Sequence, residues 1–185
     1  MKILLGAVLM LAILIIGSII FIYSGLYDVS AFNQDRGIMR WVLNTTSDKS
    51  VEHHAKDISV PDLSDSLMIK EGFEHYDQMC ESCHGAPGKE ESELAKGLNP
   101  HAPHLVRSAR HMSPQELFWV TKNGIKMTGM PAWGKTHSDK KIWAMVAFMK
   151  KLPDMSAEEY KKMESQSEPM EMDEDTNIRY KKKNN

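Results

Sequence analysis

Hydrophobic and polar positions are unevenly divided along this chain. Residues 3–23, from Ile3 to Tyr23, hold no charged side chain, and only Gly6, Gly17 and Ser18 interrupt the larger apolar residues. About 21 residues is the length a helix needs to cross a bilayer core, and it exceeds the roughly 7 to 15 apolar residues of a secretory signal. The pattern therefore predicts an uncleaved anchor held in membrane lipid. Val29, Ser30 and Ala31 offer a cleavage-like alternative, far past the apolar block. Lys2 before the span and Asp28 as the first charge after it place the N-terminus inside and the rest of the chain outside.

Residues 24–66 read as a mixed, polar spacer, with a helical turn at Trp41, Val42 and Leu43 and a loop over 44–50. His53 and His54 are adjacent and so point different ways from a helix. No carboxylate or cysteine nearby completes a metal set, and they are expected to be exposed or packing residues. Beyond Pro61 the apolar period becomes helical, with Ile69, Gly72, Phe73, Tyr76, Met79 and Cys80 on one face. Gly85, Ala86, Pro87 and Gly88 break that helix, and 89–108 reads as an extended loop stiffened by Pro100 and Pro103. Ser113, Pro114 and Glu116 form a helix-start signature, and Gly124 closes the helix they open. After a loop over 125–137, Ile142, Met145, Val146, Phe148 and Met149 predict a third helix that stops at Leu152 and Pro153. Ser156 to Glu159 opens one more short helix, and past Gln166 the charged composition predicts disorder. The expected organisation is all-α: an anchor over 1–23, a spacer over 24–66, a helical domain over 67–153, and a short helix with a charged tail over 154–185.

With 185 residues the chain has room for one core besides the anchor. A net charge of -2, without a long basic stripe, gives no reason to expect a nucleic-acid partner. The distinctive chemistry lies in the two cysteines. Cys80 and Cys83 are followed at once by His84, and C-x-x-C-H is the spacing of c-type haem attachment. Cysteines about one helical turn apart can form thioethers with the two vinyl groups of a porphyrin, and the next residue can then bring its imidazole to the iron. A redox dithiol would need a βαβ context that is missing here. A zinc site would need a second ligand pair, which His101, His104 and His111 do not supply at the right spacing.

The opposite iron ligand is expected from a methionine. Met112, Met145, Met149 and Met155 sit at helix starts, on apolar faces or near the domain end, where packing or solvent is the ordinary role. Met130 lies in a loop between two helices, framed by Gly129, Pro131, Ala132, Trp133 and Gly134, and is the preferred ligand. Met127 is its rival. A thioether there raises the reduction potential and closes the iron to other ligands. The carbonyl of Pro100 or Pro103 could accept the second ring N–H of His84. Glu71, Glu74, Asp77, Glu81, Glu90, Glu91 and Glu93 load the earlier part of the domain, whereas Lys122, Lys126, Lys135, Lys140 and Lys141 surround the methionine loop, a dipole that could steer docking.

These residues resemble a class I cytochrome c, over roughly residues 67–153. The resemblance rests on Gly72 and Tyr76 ahead of Cys80, Cys83 and His84, then on Pro103 and Leu105, Met130 and Pro131, and Met145 and Phe148. It implies an all-α fold wrapped around one covalent haem c, with first and last helices crossing through Gly72, Tyr76, Met145 and Phe148. It also implies that the Pro103 carbonyl, rather than that of Pro100, accepts from His84, and it places Tyr76 and Trp133 among the haem-binding residues. More weakly, residues 25–31 with Trp41, Thr45, Thr46, Ser50, Val51, His54 and Ala55 resemble a group of bacterial anchored monohaem cytochromes. The implied role is one-electron transfer between a redox donor and acceptor on the periplasmic side of an inner membrane. The chain would act as a tethered carrier, as a fixed subunit of a larger oxidoreductase, or, with an iron that opens, as a gas sensor.

Overall fold

The computed structural model describes residues 2–33 and 37–167. Among the described residues the regular structure is helical, with a single isolated antiparallel bridge between Ala86 and Lys89. The chain divides into two units, 1–33 and 34–185.

In the first unit, helix α1 spans Lys2–Tyr23 and buries none of its residues. Its 22 residues are long and apolar enough to cross a membrane.

In the second unit the helices are α2 (Gly37–Ala55), α3 (Ser66–Met79), α4 (Glu81–His84), α5 (Glu93–Lys96), α6 (Leu105–Ser108), α7 (Pro114–Asn123), α8 (Asp139–Lys151) and α9 (Ala157–Gln166). The central packing is α3 across α8. A Cβ at Gly72 would overlap the Ala144 carbonyl, so glycine is what lets the two backbones approach this closely. Around that point Phe73, Tyr76, Ile142, Met145, Phe148, Leu152 and Tyr160 are almost fully buried. The Phe73 ring meets Phe148 edge-on at 5.3 Å and Tyr160 at 5.1 Å.

Local signals agree with these elements. The side chain of Asp65 caps α3 by accepting from Leu67 N–H, and both Ser113 with Glu116 and Ser156 with Glu159 form complete capping boxes. The expected crossing of first and last domain helices is present, and so is the short capped helix after Pro153.

Two expectations are corrected. Residues 44–50 are not a loop but the middle of α2, a 19-residue helix. Asn44, Thr45, Thr46, Ser47 and Asp48 favour turns in isolation, but Val51 and Ala55 on the same helix are buried and α2 packs on α7. Within the expected extended stretch 89–108, α5 and α6 each form a helical turn. The disorder expected beyond Gln166 concerns, from residue 168 onward, positions outside the described residues.

Candidate haem-binding site

The end of α3 delivers the C-x-x-C-H residues as a continuous helical path. Cys80 N–H donates to the Tyr76 carbonyl at 2.8 Å, and His84 N–H donates to the Cys80 carbonyl at 2.9 Å. Gly85 then turns the chain with a φ of 71°, in the left-handed region that favours glycine. The Tyr76 hydroxyl, inside the α3–α8 core, donates to the Gly85 carbonyl at 2.6 Å and so fixes the exit from the motif.

Burial, reinforced by the neighbouring Cys83, pushes the Cys80 thiol up to about 12. This is the opposite of an activated redox thiolate. Among the described residues no group of three or more His, Cys, Asp or Glu side chains is arranged to hold a metal ion.

His84 Nδ1 lies 2.8 Å from the Pro103 carbonyl oxygen. A carbonyl can only accept, so Nδ1 carries the hydrogen and Nε2 keeps its lone pair for a ligand. Burial holds the imidazole's proton affinity below its ordinary value. The Pro103 hydrogen bond partly opposes this, and the neighbouring His104 adds to it. The ring is thus kept neutral, the form that binds a metal. Of the two candidate prolines, Pro103 makes this contact. Pro100 lines the cavity nearby.

Cys80, Cys83 and His84 open onto a mainly apolar cavity of about 590 Å³, and Met130 and Trp133 line it as well. The volume suits a sizeable organic cofactor. Tyr76 stands behind the motif and is not among the lining residues. Two thiols, an imidazole with a free Nε2, a methionine thioether and apolar walls from Leu98, Val120 and Ile125 form a donor set and surface suited to an iron porphyrin.

The methionine loop is braced from within. Thr128 Oγ1 donates to the Ile125 carbonyl at 2.8 Å and accepts from Met130 N–H at 3.1 Å. Gly124, with a φ of 65°, brings α7 so near that a Cβ there would lie 2.7 Å from the Met130 carbonyl oxygen. Met130 is half-buried, whereas Met127 is 96% exposed and has a φ of 61°, an uncommon conformation for a residue with a side chain. Both line the cavity. Of the lysines around this loop, Lys122 is paired with Asp139 at 2.6 Å, so the basic side is partly neutralised. His53 and His54 are exposed, and His54 stacks on Trp119 at 5.4 Å.

The sequence reading missed part of the cavity wall. Leu43, Asn44, Ser47, Asp48 and Val51, all on α2, line it. Their spacing of three to four residues was the available signal, hidden because three of the five are polar.

Residues 68–149 match the family model described as Cytochrome C oxidase, cbb3-type, subunit III. None of the curated proteins and none of the solved structures matches. The matched stretch runs from within α3 to within α8 and holds the cysteines, His84, Pro103 and Met130, whereas α2 and α9 lie outside it. One C-x-x-C-H motif specifies one covalently attached haem c, and the role that follows is that of an electron carrier. With this helical haem-binding domain behind an apolar helix of spanning length, the chain is a membrane-anchored c-type cytochrome.

Proposed function

We propose that the chain is a fixed electron-transfer subunit of a larger membrane oxidoreductase. In this reading the domain lies on the periplasmic side of the inner membrane, Cys80 and Cys83 would hold the haem covalently, and His84 and Met130 would bind its iron. The observation that carries it is the similarity of residues 68–149 to subunit III of an oxidase, on a chain that also has a spanning helix. The haem supplies one-electron Fe(II)/Fe(III) cycling.

The chain's residues keep that chemistry simple. Pro103 orients His84 and holds its tautomer, and the Thr128 brace carries Met130 on a short, glycine-framed loop. A Met130 thioether bound to the iron would leave no open position for small ligands, which favours electron transfer over gas sensing. Trp133, Leu98 and Val120 give the cavity apolar walls, which lower the dielectric around a bound group.

Mild-detergent extraction from native membranes tests the reading. The haem-bearing chain is expected to co-migrate with an oxidoreductase whose substrate reduces or oxidises the haem. Migration alone at its own mass, with exchange between separate donor and acceptor, would replace the fixed subunit by a tethered shuttle.

A further inference from the structure

Helix α2 lies outside the stretch similar to the oxidase subunit, yet three observations tie it to the cavity. Asn44, Ser47, Asp48 and Val51 lie three to four residues apart on one helical face and line the cavity. Further along that face Val51 and Ala55 are buried to 7% and 1% exposure. His54 stacks on Trp119 of α7, with the rings 29° apart, and secures α2 to the domain.

Asp48 differs from the other acid in the cavity wall, Glu116. The Glu116 carboxylate accepts from both the backbone N–H and the hydroxyl of Ser113, at 2.7 and 2.8 Å, and is engaged as a helix cap. Among the described residues no such hydrogen bond holds Asp48, which is exposed at the cavity rim beside Lys49, itself paired with Glu52 at 2.6 Å.

We propose that α2 is an added wall of the haem pocket and that Asp48 on it sets the reduction potential as a positioning charge. This rests on the reading of the cavity as the haem site. A carboxylate at the wall favours the more positive ferric site over the ferrous one and lowers the potential. Apolar residues such as Val51 act oppositely by excluding water, so α2 carries both levers.

The test is equilibrium redox titration of the purified, full-length holoprotein, with the haem c spectrum recorded for each variant. Asp48→Asn is expected to raise the Fe(II)/Fe(III) ratio at fixed poise by about three- to tenfold, the upper limit being about 59 mV for one electron. Asp48→Glu, which keeps the charge, should stay close to the parent. Asp57→Asn removes an exposed charge just beyond α2, away from the cavity wall, and should leave the ratio unchanged. Equal potentials for Asp48→Asn and the parent would overturn the proposal. So would equal shifts in Asp48→Asn and Asp48→Glu, or in Asp48→Asn and Asp57→Asn. Absence of covalent haem from the unmodified protein would instead overturn the haem reading itself.

Discussion

The two sides of the cavity are built by different means. The Cys80–His84 side is an extension of a buried helix: its backbone is hydrogen-bonded into α3, Tyr76 fastens its exit, and Pro103 fastens the ring. The Met130 side is a loop, held by the Thr128 side chain, by Ile125 N–H donating to the Met130 carbonyl at 3.3 Å, and by close approach at Gly124. The first side is positioned through the core of the fold. The second can change without unfolding the molecule, so its variants should alter the iron's properties more than stability.

The sharpest break in that comparison comes from His84→Ala. Removing the imidazole should abolish stable holoprotein, seen as loss of haem staining of the chain in membrane extracts. Retention of normal covalent haem would mean that the two cysteines hold the group without help from His84. Gly72→Val should come next, because its side chain would meet the α8 backbone at the crossing behind the motif. A loss of at least about 3 kcal/mol in denaturant unfolding is expected, at the upper end for overpacked sites.

On the loop side, Met130→Ala should keep covalent haem and lower the Fe(II)/Fe(III) ratio at fixed poise by roughly tenfold or more, while opening the reduced iron to carbon monoxide. Stability should change far less than in Gly72→Val. Tyr160→Phe probes the helical side from further away. It removes the hydroxyl that donates to Asp77 at 2.8 Å, where Lys89 also reaches Asp77 at 3.3 Å and Glu164 at 3.0 Å. About 1 kcal/mol of stability should be lost, with the haem spectrum unchanged. The smallest effect belongs to Met127→Ala, an exposed position, with stability within about 0.5 kcal/mol of the parent and the potential unmoved.

The same contrast explains what could be read along the chain. Residue spacing alone exposed the anchor, the C-x-x-C-H motif and the α3 and α8 faces, and capping residues marked α7 and α9. These are local signals, or apolar periods that bury a whole stripe. Helix α2 was not legible over residues 44–50 because its side chains favour turns and its buried contacts are few, Val51 and Ala55. The four-residue helices α5 and α6 are too short to show a period. Met130 could be preferred over Met127 from its glycine and proline neighbours, but the difference in burial is a tertiary fact. The choice of Pro103 over Pro100 likewise depended on family resemblance until the 2.8 Å contact with His84 was seen.

A sulfur-ligated ferric haem has a weak charge-transfer absorption in the far red, and that band in oxidised, detergent-solubilised holoprotein tests the closed His84 and Met130 site most directly. The band is expected in the parent and in Met127→Ala and should be lost in Met130→Ala. Its survival in Met130→Ala, or binding of carbon monoxide by the reduced parent protein, would contradict a closed electron-transfer site.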